Sequence, residues 1–184
     1  EPGNGATLRE AGEHDAAARY AACILGGDEL ADGLAAGADA VKLEGGVGFI
    51  PQIKAIIAAG IPFIGHIGML PQSVKEEGGY KKKGKTPAQV EQLIADAIAL
   101  DEVGALAMVL ESMVPEVAAE ITRRVKASTI GIGAGRQTDG QVLVTHDLIG
   151  SFPWFRPPFA KARADVAGET LRAVREYVQE CQTA

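Results

Sequence analysis

The chain has 184 residues, of which 47% are hydrophobic, and this length and composition predict a single folded domain over residues 1–184. The 18 Lys and Arg residues against 24 Asp and Glu give a net charge of −6, which disfavours nucleic acid as a partner. No apolar run is long enough to span a membrane, and Cys23 and Cys181 form neither a disulfide framework nor a metal-ligand pattern, so we expect a cytoplasmic protein.

A strand–loop–helix unit recurs along most of the chain, but not at its start. Residues 1–37 are rich in alanine and predict one or two helices, without a confident strand. Further on, DAVKLEGG (39–46) predicts a short strand. PQIKAIIAAG (51–60) then predicts a helix with proline in its first turn and glycine just past its end.

The next unit contains the clearest helix. IPFIGHIG (61–68) predicts a buried strand, and TPAQVEQLIADAIALDEVG (86–104) predicts a long amphipathic helix. Thr86 can cap this helix, Pro87 suits its first position, and Gln89 completes a capping box. These signals predict that the helix begins at residue 86 or 87.

The remaining elements continue the alternation of strands and helices. The predicted strands are ALAMVLES, STIGIGA and, after a turn at TDG, the apolar run QVLVTHDLIG (141–150), and the helix between the first two is PEVAAEITRRVK. PWFRPPF (153–159) is too rich in proline for a regular element and predicts a packed loop. KARADVAGETLRAVREYVQEC (161–181) predicts a closing helix.

The predicted strands are near-continuous apolar runs, which are typical of a parallel sheet covered by helices. Their alternation with helices predicts an α/β fold, either a (β/α)8 barrel or an open doubly wound sheet. A complete barrel has eight strands in about 250 residues, whereas residues 38–184 contain about five recognisable strands. The pattern is therefore compatible with an open sheet or with an incomplete barrel.

Ionisable side chains stand where three of the predicted strands end. Lys42 and Glu44 are two residues apart, so they project from the same face of the first strand. His66 ends the second strand and Glu111 the third. Because the carboxyl ends of parallel strands meet at one edge, these groups predict one mouth. Each residue also has a purely structural interpretation. Lys42 and Glu44 could form a solvated ion pair, His66 could be a packing residue, and Glu111 could cap the helix near Pro115.

Two further features border the predicted mouth. Gly131, Gly133 and Gly135 alternate strictly, which does not match the dinucleotide spacing and indicates close approach of a ligand or a neighbouring backbone. The loop KEEGGYKKKGK (75–85) carries five lysines and three glycines. Such a loop is usually solvated, but at a mouth it could form a lid that attracts an anionic substrate.

Five segments together resemble a known family. GADAVKLEGG, IPFIGHIGMLPQSV…GGY, VLESMVP, IGIGAGRQTDGQVLVTHD and FAKARADVAG resemble ketopantoate hydroxymethyltransferase (3-methyl-2-oxobutanoate hydroxymethyltransferase) in order and spacing, over about residues 36–180. The resemblance implies a (β/α)8 TIM barrel of the phosphoenolpyruvate-mutase-like superfamily. It implies transfer of a hydroxymethyl group from methylenetetrahydrofolate to 2-oxoisovalerate, giving ketopantoate for pantothenate biosynthesis. It also implies Mg²⁺ as cofactor and a homo-oligomer, typically a decamer.

The resemblance implies a role for each residue of the predicted mouth. Glu111 would be the catalytic proton acceptor, and Glu44 would belong to the Mg²⁺ site. Lys42 and His66 would bind the oxoacid substrate. Proton removal next to a carbonyl makes an enolate that a divalent cation stabilises, and a carboxylate raised in pKa by burial can act as the base. A lysine beside the substrate carboxylate adds fixed positive charge.

The family pattern includes motifs that residues 1–37 do not contain. An Asp-Ser pair at the end of its second strand and an Asp at the end of its third supply metal and substrate contacts in the family, and neither motif occurs here. Residues 38–184 therefore match the family's strands four to eight and its closing helix. Two alternatives follow: a non-catalytic, truncated or degenerate barrel that self-associates, and another oxoacid lyase of the same superfamily.

Overall fold

A five-stranded parallel sheet is the central element of the computed structural model, which describes residues 39–75 and 78–183. Each strand pairs in parallel with the next one along the chain. The strands are β1 (Val41–Glu44), β2 (Phe63–Gly68), β3 (Ala107–Glu111), β4 (Ser128–Ile132) and β5 (Gly140–Gln141). The predicted α/β class with a parallel sheet is thus confirmed, whereas the helices predicted for residues 1–37 lie outside the described residues.

Three helices connect the first four strands: α1 (Ile50–Ala58), α2 (Pro87–Glu102) and α3 (Pro115–Arg124). Each has proline in its first turn, where a missing N–H removes no helical hydrogen bond. The predicted cap of α2 is confirmed, since the Thr86 hydroxyl accepts a hydrogen bond from the Gln89 N–H at 3.3 Å. The first-turn signals in the sequence therefore act as predicted.

All three helices pack against the same face of the sheet. The core takes side chains from every helix and from alternate strand positions, namely Val41, Phe63, Ile67, Met108, Leu110, Ile53, Ile56, Leu93, Leu100, Val117 and Ile121. Burying each such aliphatic or aromatic side chain contributes about 1.5–3 kcal/mol. A doubly wound sheet has helices on both faces and reverses its strand order. The one-sided helices and sequential order found here are compatible with part of a barrel, and the barrel itself stays a prediction.

The fifth strand differs from its prediction. A strand was predicted over 141–150, but only Gly140–Gln141 pairs with β4, and Thr145–Ile149 forms a short helix, α4. Asp139 fixes the start of this pairing, because its carboxylate accepts hydrogen bonds from the backbone N–H (2.8 Å) and the hydroxyl (2.9 Å) of Thr129. The Val142 N–H also donates to the Gly131 carbonyl at 3.0 Å, and no later residue of the predicted strand pairs with β4. A short apolar run is compatible with a strand or a helix, and here the helix forms.

The C-terminal part of the chain is more exposed than predicted. Residues 153–159 are irregular, as expected of a proline-rich segment, but the predicted packing is wrong because Trp154 is 82% and Phe155 50% exposed. Helix α5 (Val166–Thr183) follows and has no buried residue. No helix in the described ranges is both long and apolar enough to cross a membrane.

Candidate active site

Strand register brings four ionisable side chains together at the carboxyl ends of β1, β2 and β3. Glu44 pairs with His66, and Gly68, two residues after His66, pairs with Glu111. Residues in register project from the same face of a parallel sheet, and residues two apart on one strand do as well. Lys42 therefore joins the other three on the face opposite helices α1, α2 and α3.

His66 is the centre of this cluster and is only 3% exposed. Its Nδ1 lies 3.1 Å from Lys42 Nζ and 3.6 Å from Glu44 Oε1. Its Nε2 lies 3.1 Å from Glu111 Oε2. A charged lysine can only donate, so Nδ1 accepts from Lys42, and a neutral imidazole then carries its proton on Nε2. Polar contacts thus run without a break from Lys42 through His66 to Glu111.

The Lys42–Glu44 pair is buried rather than solvated. Lys42 Nζ and Glu44 Oε1 are 3.9 Å apart, and their side chains are 15% and 5% exposed. Burial lowers the pKa of Lys42 below its usual value, while the charges of Glu44 and Glu111 oppose this shift. A cation that has lost part of its hydration attracts an anion more strongly than a solvated one does. Lys42 is therefore suited to bind a carboxylate.

Two buried polar atoms in the cluster lack a hydrogen-bond partner among the described residues. Gln72 donates its backbone N–H to Glu44 Oε2 at 3.2 Å, which leaves Glu44 Oε1 without one. His66 Nε2 is close to Glu111 but is not aligned for a hydrogen bond with it. Buried polar groups in folded proteins are nearly always paired. Two buried polar atoms without a hydrogen-bond partner, on neighbouring strands, therefore indicate a position for a ligand.

Glu111 is not the cap of the following helix. Helix α3 has Val114 as its N-terminal flanking residue, with no side-chain cap, and Glu111 instead faces His66 with 15% of its side chain exposed. Ser112 follows with φ of +46°, a left-handed conformation that is rare for residues other than glycine. Backbone strain of this kind concentrates at functional sites. The chain thus turns sharply directly after the candidate base.

Two residues that position the site were missed from the sequence. Asp96 on α2 accepts a hydrogen bond from the backbone N–H of Val47 at 2.9 Å and so holds the loop that follows Glu44. A short acidic side chain inside a helix is unfavourable, and this signal could have identified it. Gln72 holds Glu44 through its backbone N–H, which any residue except proline would supply.

The alternating glycines and the lysine-rich loop, which were predicted to border the mouth, differ in how far the structure bears on them. A Cβ added at Gly131 would lie 2.6 Å from Thr138 Oγ1, and one at Gly135 would lie 2.7 Å from Pro115 Cβ. The closest neighbours of these glycines are therefore side chains, rather than the ligand or backbone that was predicted. Lys83 in the lysine-rich loop forms a parallel bridge with Met113, which fixes the end of that loop beside β3. The role of the loop as a lid stays a prediction.

A magnesium ion fits the described residues in part. Within residues 39–75 and 78–183, no three His, Cys, Asp or Glu side chains come together to form a metal site. Glu44 Oε1, however, is a buried carboxylate oxygen without a hydrogen-bond partner, and Mg²⁺ prefers such hard oxygen ligands. Protein sites often supply only one or two carboxylates, with water and substrate as the other ligands. Glu44 therefore fits as one ligand of such a site.

One family model and several curated proteins are similar to this chain. The model described as ketopantoate hydroxymethyltransferase matches residues 30–184. Three curated proteins named 3-methyl-2-oxobutanoate hydroxymethyltransferase are similar to this chain. They come from Moorella thermoacetica, Cenarchaeum symbiosum and Dehalococcoides mccartyi, and they are 49%, 48% and 51% identical to this chain. These matches cover 78%, 80% and 78% of this chain and 54%, 56% and 52% of the relatives. The chain thus spans about half the length of the curated relatives it matches.

Proposed function

The chain belongs to the ketopantoate hydroxymethyltransferase family, and from this premise we propose that it transfers a hydroxymethyl group to 2-oxoisovalerate. Methylenetetrahydrofolate is the donor, water supplies the hydroxyl oxygen, and the products are ketopantoate and tetrahydrofolate. One observation carries the proposal: Glu111 lies 3.1 Å from a buried His66 in a cluster with a desolvated lysine. These are the groups that enolate chemistry on an oxoacid requires.

Two side chains, Lys42 and His66, can bind the anionic substrate. Lys42 attracts the carboxylate of 2-oxoisovalerate, because burial has removed part of the water that would compete for its charge. His66 directs its Nε2–H, which lacks an aligned partner, at an oxygen of the substrate. A donor already fixed in place stabilises negative charge without reorganisation when the enolate forms.

Proton transfer is assigned to Glu111. Its carboxylate takes the proton from C3, the C–H bonding electrons move into the enolate, and Glu111 becomes a neutral carboxylic acid. Water adds to the methylene carbon of the donor and both of its C–N bonds break, which releases tetrahydrofolate and formaldehyde. The nucleophilic C3 attacks the formaldehyde carbon, so that the C–C bond forms while the C=O π bond breaks, and Glu111 returns its proton to the resulting alkoxide. Glu111 is suited to this role because its side chain is partly exposed at the mouth, whereas His66 is buried.

Glu44 is the residue that would hold Mg²⁺, through Oε1, which has no hydrogen-bond partner and lies 3.9 Å from Lys42 Nζ. A bound Mg²⁺ would act as a Lewis acid for the negative charge on the keto oxygen. The backbone N–H of Gln72 fixes the other carboxylate oxygen, Oε2, and so keeps Oε1 directed into the cluster. Replacement of Glu44 by glutamine is therefore expected to weaken Mg²⁺ binding, which calorimetry can measure without any turnover.

Formation of ketopantoate tests the proposal directly. We expect product from 2-oxoisovalerate, methylenetetrahydrofolate and Mg²⁺, followed by NMR. Glu111→Gln is expected to lower kcat by about 10²- to 10⁴-fold, since general-base catalysis is typically worth that much. The matched control is Glu116→Gln, an exposed glutamate in the first turn of α3, which should keep full activity. Full turnover by Glu111→Gln would contradict its assignment as the base.

A non-catalytic, self-associating relative is the second candidate. The observation that favours it is helix α5, which has 18 residues and none of them buried. An apolar helix face in water favours association with a second copy or another partner. Folded protein that forms oligomers in sedimentation velocity, yet yields neither ketopantoate nor C3 proton exchange, would support this candidate over the first.

A further inference from the structure

Two aromatic rings from separate loops stack on each other, and both remain exposed. The ring centroids of Tyr80 and Phe155 are 5.9 Å apart with 25° between the ring planes. Tyr80 is 64% exposed and Phe155 is 50% exposed. Rings that stay this exposed contribute little to a core, so stabilisation of the fold does not account for the pair. An aromatic face left open to solvent can instead accept another flat ring.

Both rings belong to loops that are fixed at the carboxyl edge of the sheet. Lys83, three residues after Tyr80, is bridged to Met113, which follows Glu111 by two residues. Phe159, four residues after Phe155, lies against Gly133, the residue directly after β4. At no more than about 3.6 Å per residue, the Cα atom of each aromatic residue is within about 15 Å of the Cα atom of its anchor. The two loops that carry the stacked pair are therefore anchored at the same edge of the sheet as the cluster, after β3 and after β4.

Basic residues flank the pair although the chain as a whole is acidic. Lys82 follows Tyr80 by two residues, Arg156 follows Phe155 directly, and both side chains are exposed. The net charge of the whole chain is −6, so this positive charge is local. A ligand with a flat heteroaromatic ring at one end and carboxylates at the other would match this arrangement.

We propose that Tyr80 and Phe155 form a stacking platform for the pterin ring of the folate donor, and that Lys82 and Arg156 attract its glutamate carboxylates. The inference rests on the proposed function, because that reaction is what makes a folate the second substrate. The ring would stack on the solvent-exposed face of the pair, since 5.9 Å between the centroids leaves no room for insertion. The platform gives the donor a binding surface separate from the Lys42–His66–Glu111 cluster.

Tetrahydrofolate binding, measured by calorimetry, tests the platform. Tyr80→Leu and Phe155→Leu keep an apolar side chain but remove the ring, and each should raise Kd about tenfold or more, in line with base–aromatic stacking. Tyr80→Phe keeps the ring and should bind nearly as the parent does. The matched control is Tyr177→Leu on α5, where the tyrosine is 67% exposed and lies outside these two loops. Unchanged Kd in both ring-removing variants would overturn the platform.

Kinetics separate this inference from the proposed function. In Tyr80→Leu, the KM for methylenetetrahydrofolate should rise much more than the KM for 2-oxoisovalerate, and folate-dependent transfer should fall relative to folate-free C3 exchange. An equal fall in transfer and exchange would overturn the platform but not the enolate chemistry. Absence of both reactions in the unsubstituted protein would instead contradict the proposed function, while ring-dependent tetrahydrofolate binding would still support the platform.

The two cations have their own test. A triglutamate form of tetrahydrofolate should bind more tightly than the monoglutamate at low salt, because it carries more carboxylates for the local positive charge. Lys82→Ala and Arg156→Ala should each reduce this advantage, and added salt should do the same. Equal affinity for the two forms at low salt would overturn the assignment of these cations to the glutamate tail.

Discussion

Single residues in the site depend on one another because His66 is buried between a lysine and two carboxylates. The alternation of side chains along a strand made it possible to predict from the sequence that Lys42, Glu44, His66 and Glu111 would meet. The left-handed backbone of Ser112 was not predictable, because a positive φ at a residue other than glycine depends on tertiary contacts. Those contacts are backbone hydrogen bonds to Ile132 and Lys83.

Burial of Lys42 predicts a pH dependence of folding stability. Its pKa in the folded state lies below the usual 10.5, so between the two values the unfolded chain binds more protons. The free energy of unfolding of metal-free protein should therefore rise with pH across that window, relative to Lys42→Met, which has no charge at this position. Urea denaturation of both proteins at a series of pH values would measure this. A difference that is constant or falls as pH rises would contradict the prediction.

Substitution of Ser112 is expected to reduce folding stability through backbone strain. A β-branched residue tolerates φ of +46° poorly, so Ser112→Val should lower the free energy of unfolding by about 1–3 kcal/mol. The matched control is Ser128→Val, at the exposed first residue of β4, where an extended backbone suits valine. Denaturant unfolding of both variants measures the contrast. Equal stabilities would show that the turn after Glu111 is relaxed in solution.

Helices and strands were predictable where local chemistry defines their ends. Thr86, Pro87 and Gln89 predicted the start of α2 correctly, because caps act on the backbone directly beside them. The prediction of a strand over 141–150 was wrong because it rested on hydrophobicity alone. The pairing that does form begins beside the contact of Asp139 with Thr129, ten residues away, which no local pattern reports.

The cap of α2 gives a prediction at this scale. Thr86→Ala removes the hydroxyl that accepts from the Gln89 N–H, and should cost about 1 kcal/mol of stability. Thr170→Ala on the exposed helix α5 is the control, since its hydroxyl bonds only to a carbonyl within the same helix, and should change stability by about 0.5 kcal/mol or less. Thermal unfolding with matched buffers would compare them. A Thr86→Ala protein as stable as the control would contradict the capping role.

Across the whole molecule, the sheet separates stability from chemistry. One face packs on α1, α2 and α3, while the opposite face carries the candidate site. Helix α5 takes no part in the core that the described residues form, although its exposed residues include Leu171 and Val174. Site geometry thus depends on three adjacent strands, in a chain that spans about half the length of the curated relatives it matches.

Substitution of one leucine in the core and one on α5 compares how much each region contributes to folding stability. Leu100→Ala should lower the free energy of unfolding by about 2–5 kcal/mol, because Leu100 lies on the face of α2 that packs on the sheet and is fully buried. Leu171→Ala should lower it by about 0.5 kcal/mol or less, because half of Leu171 is already exposed. Denaturant titrations at two protein concentrations would measure both. A large, concentration-dependent loss for Leu171→Ala would show that another copy covers α5 in solution.

Proton exchange at C3 of 2-oxoisovalerate in D₂O, followed by NMR with and without Mg²⁺ and without folate, tests the central claim most directly. Enolisation at the cluster of Lys42, Glu44, His66 and Glu111 predicts exchange that increases with Mg²⁺ and is lost in Glu111→Gln. Folded protein at high concentration that leaves the C3 proton in place would contradict the claim. The chain would then share the architecture of its family without the chemistry.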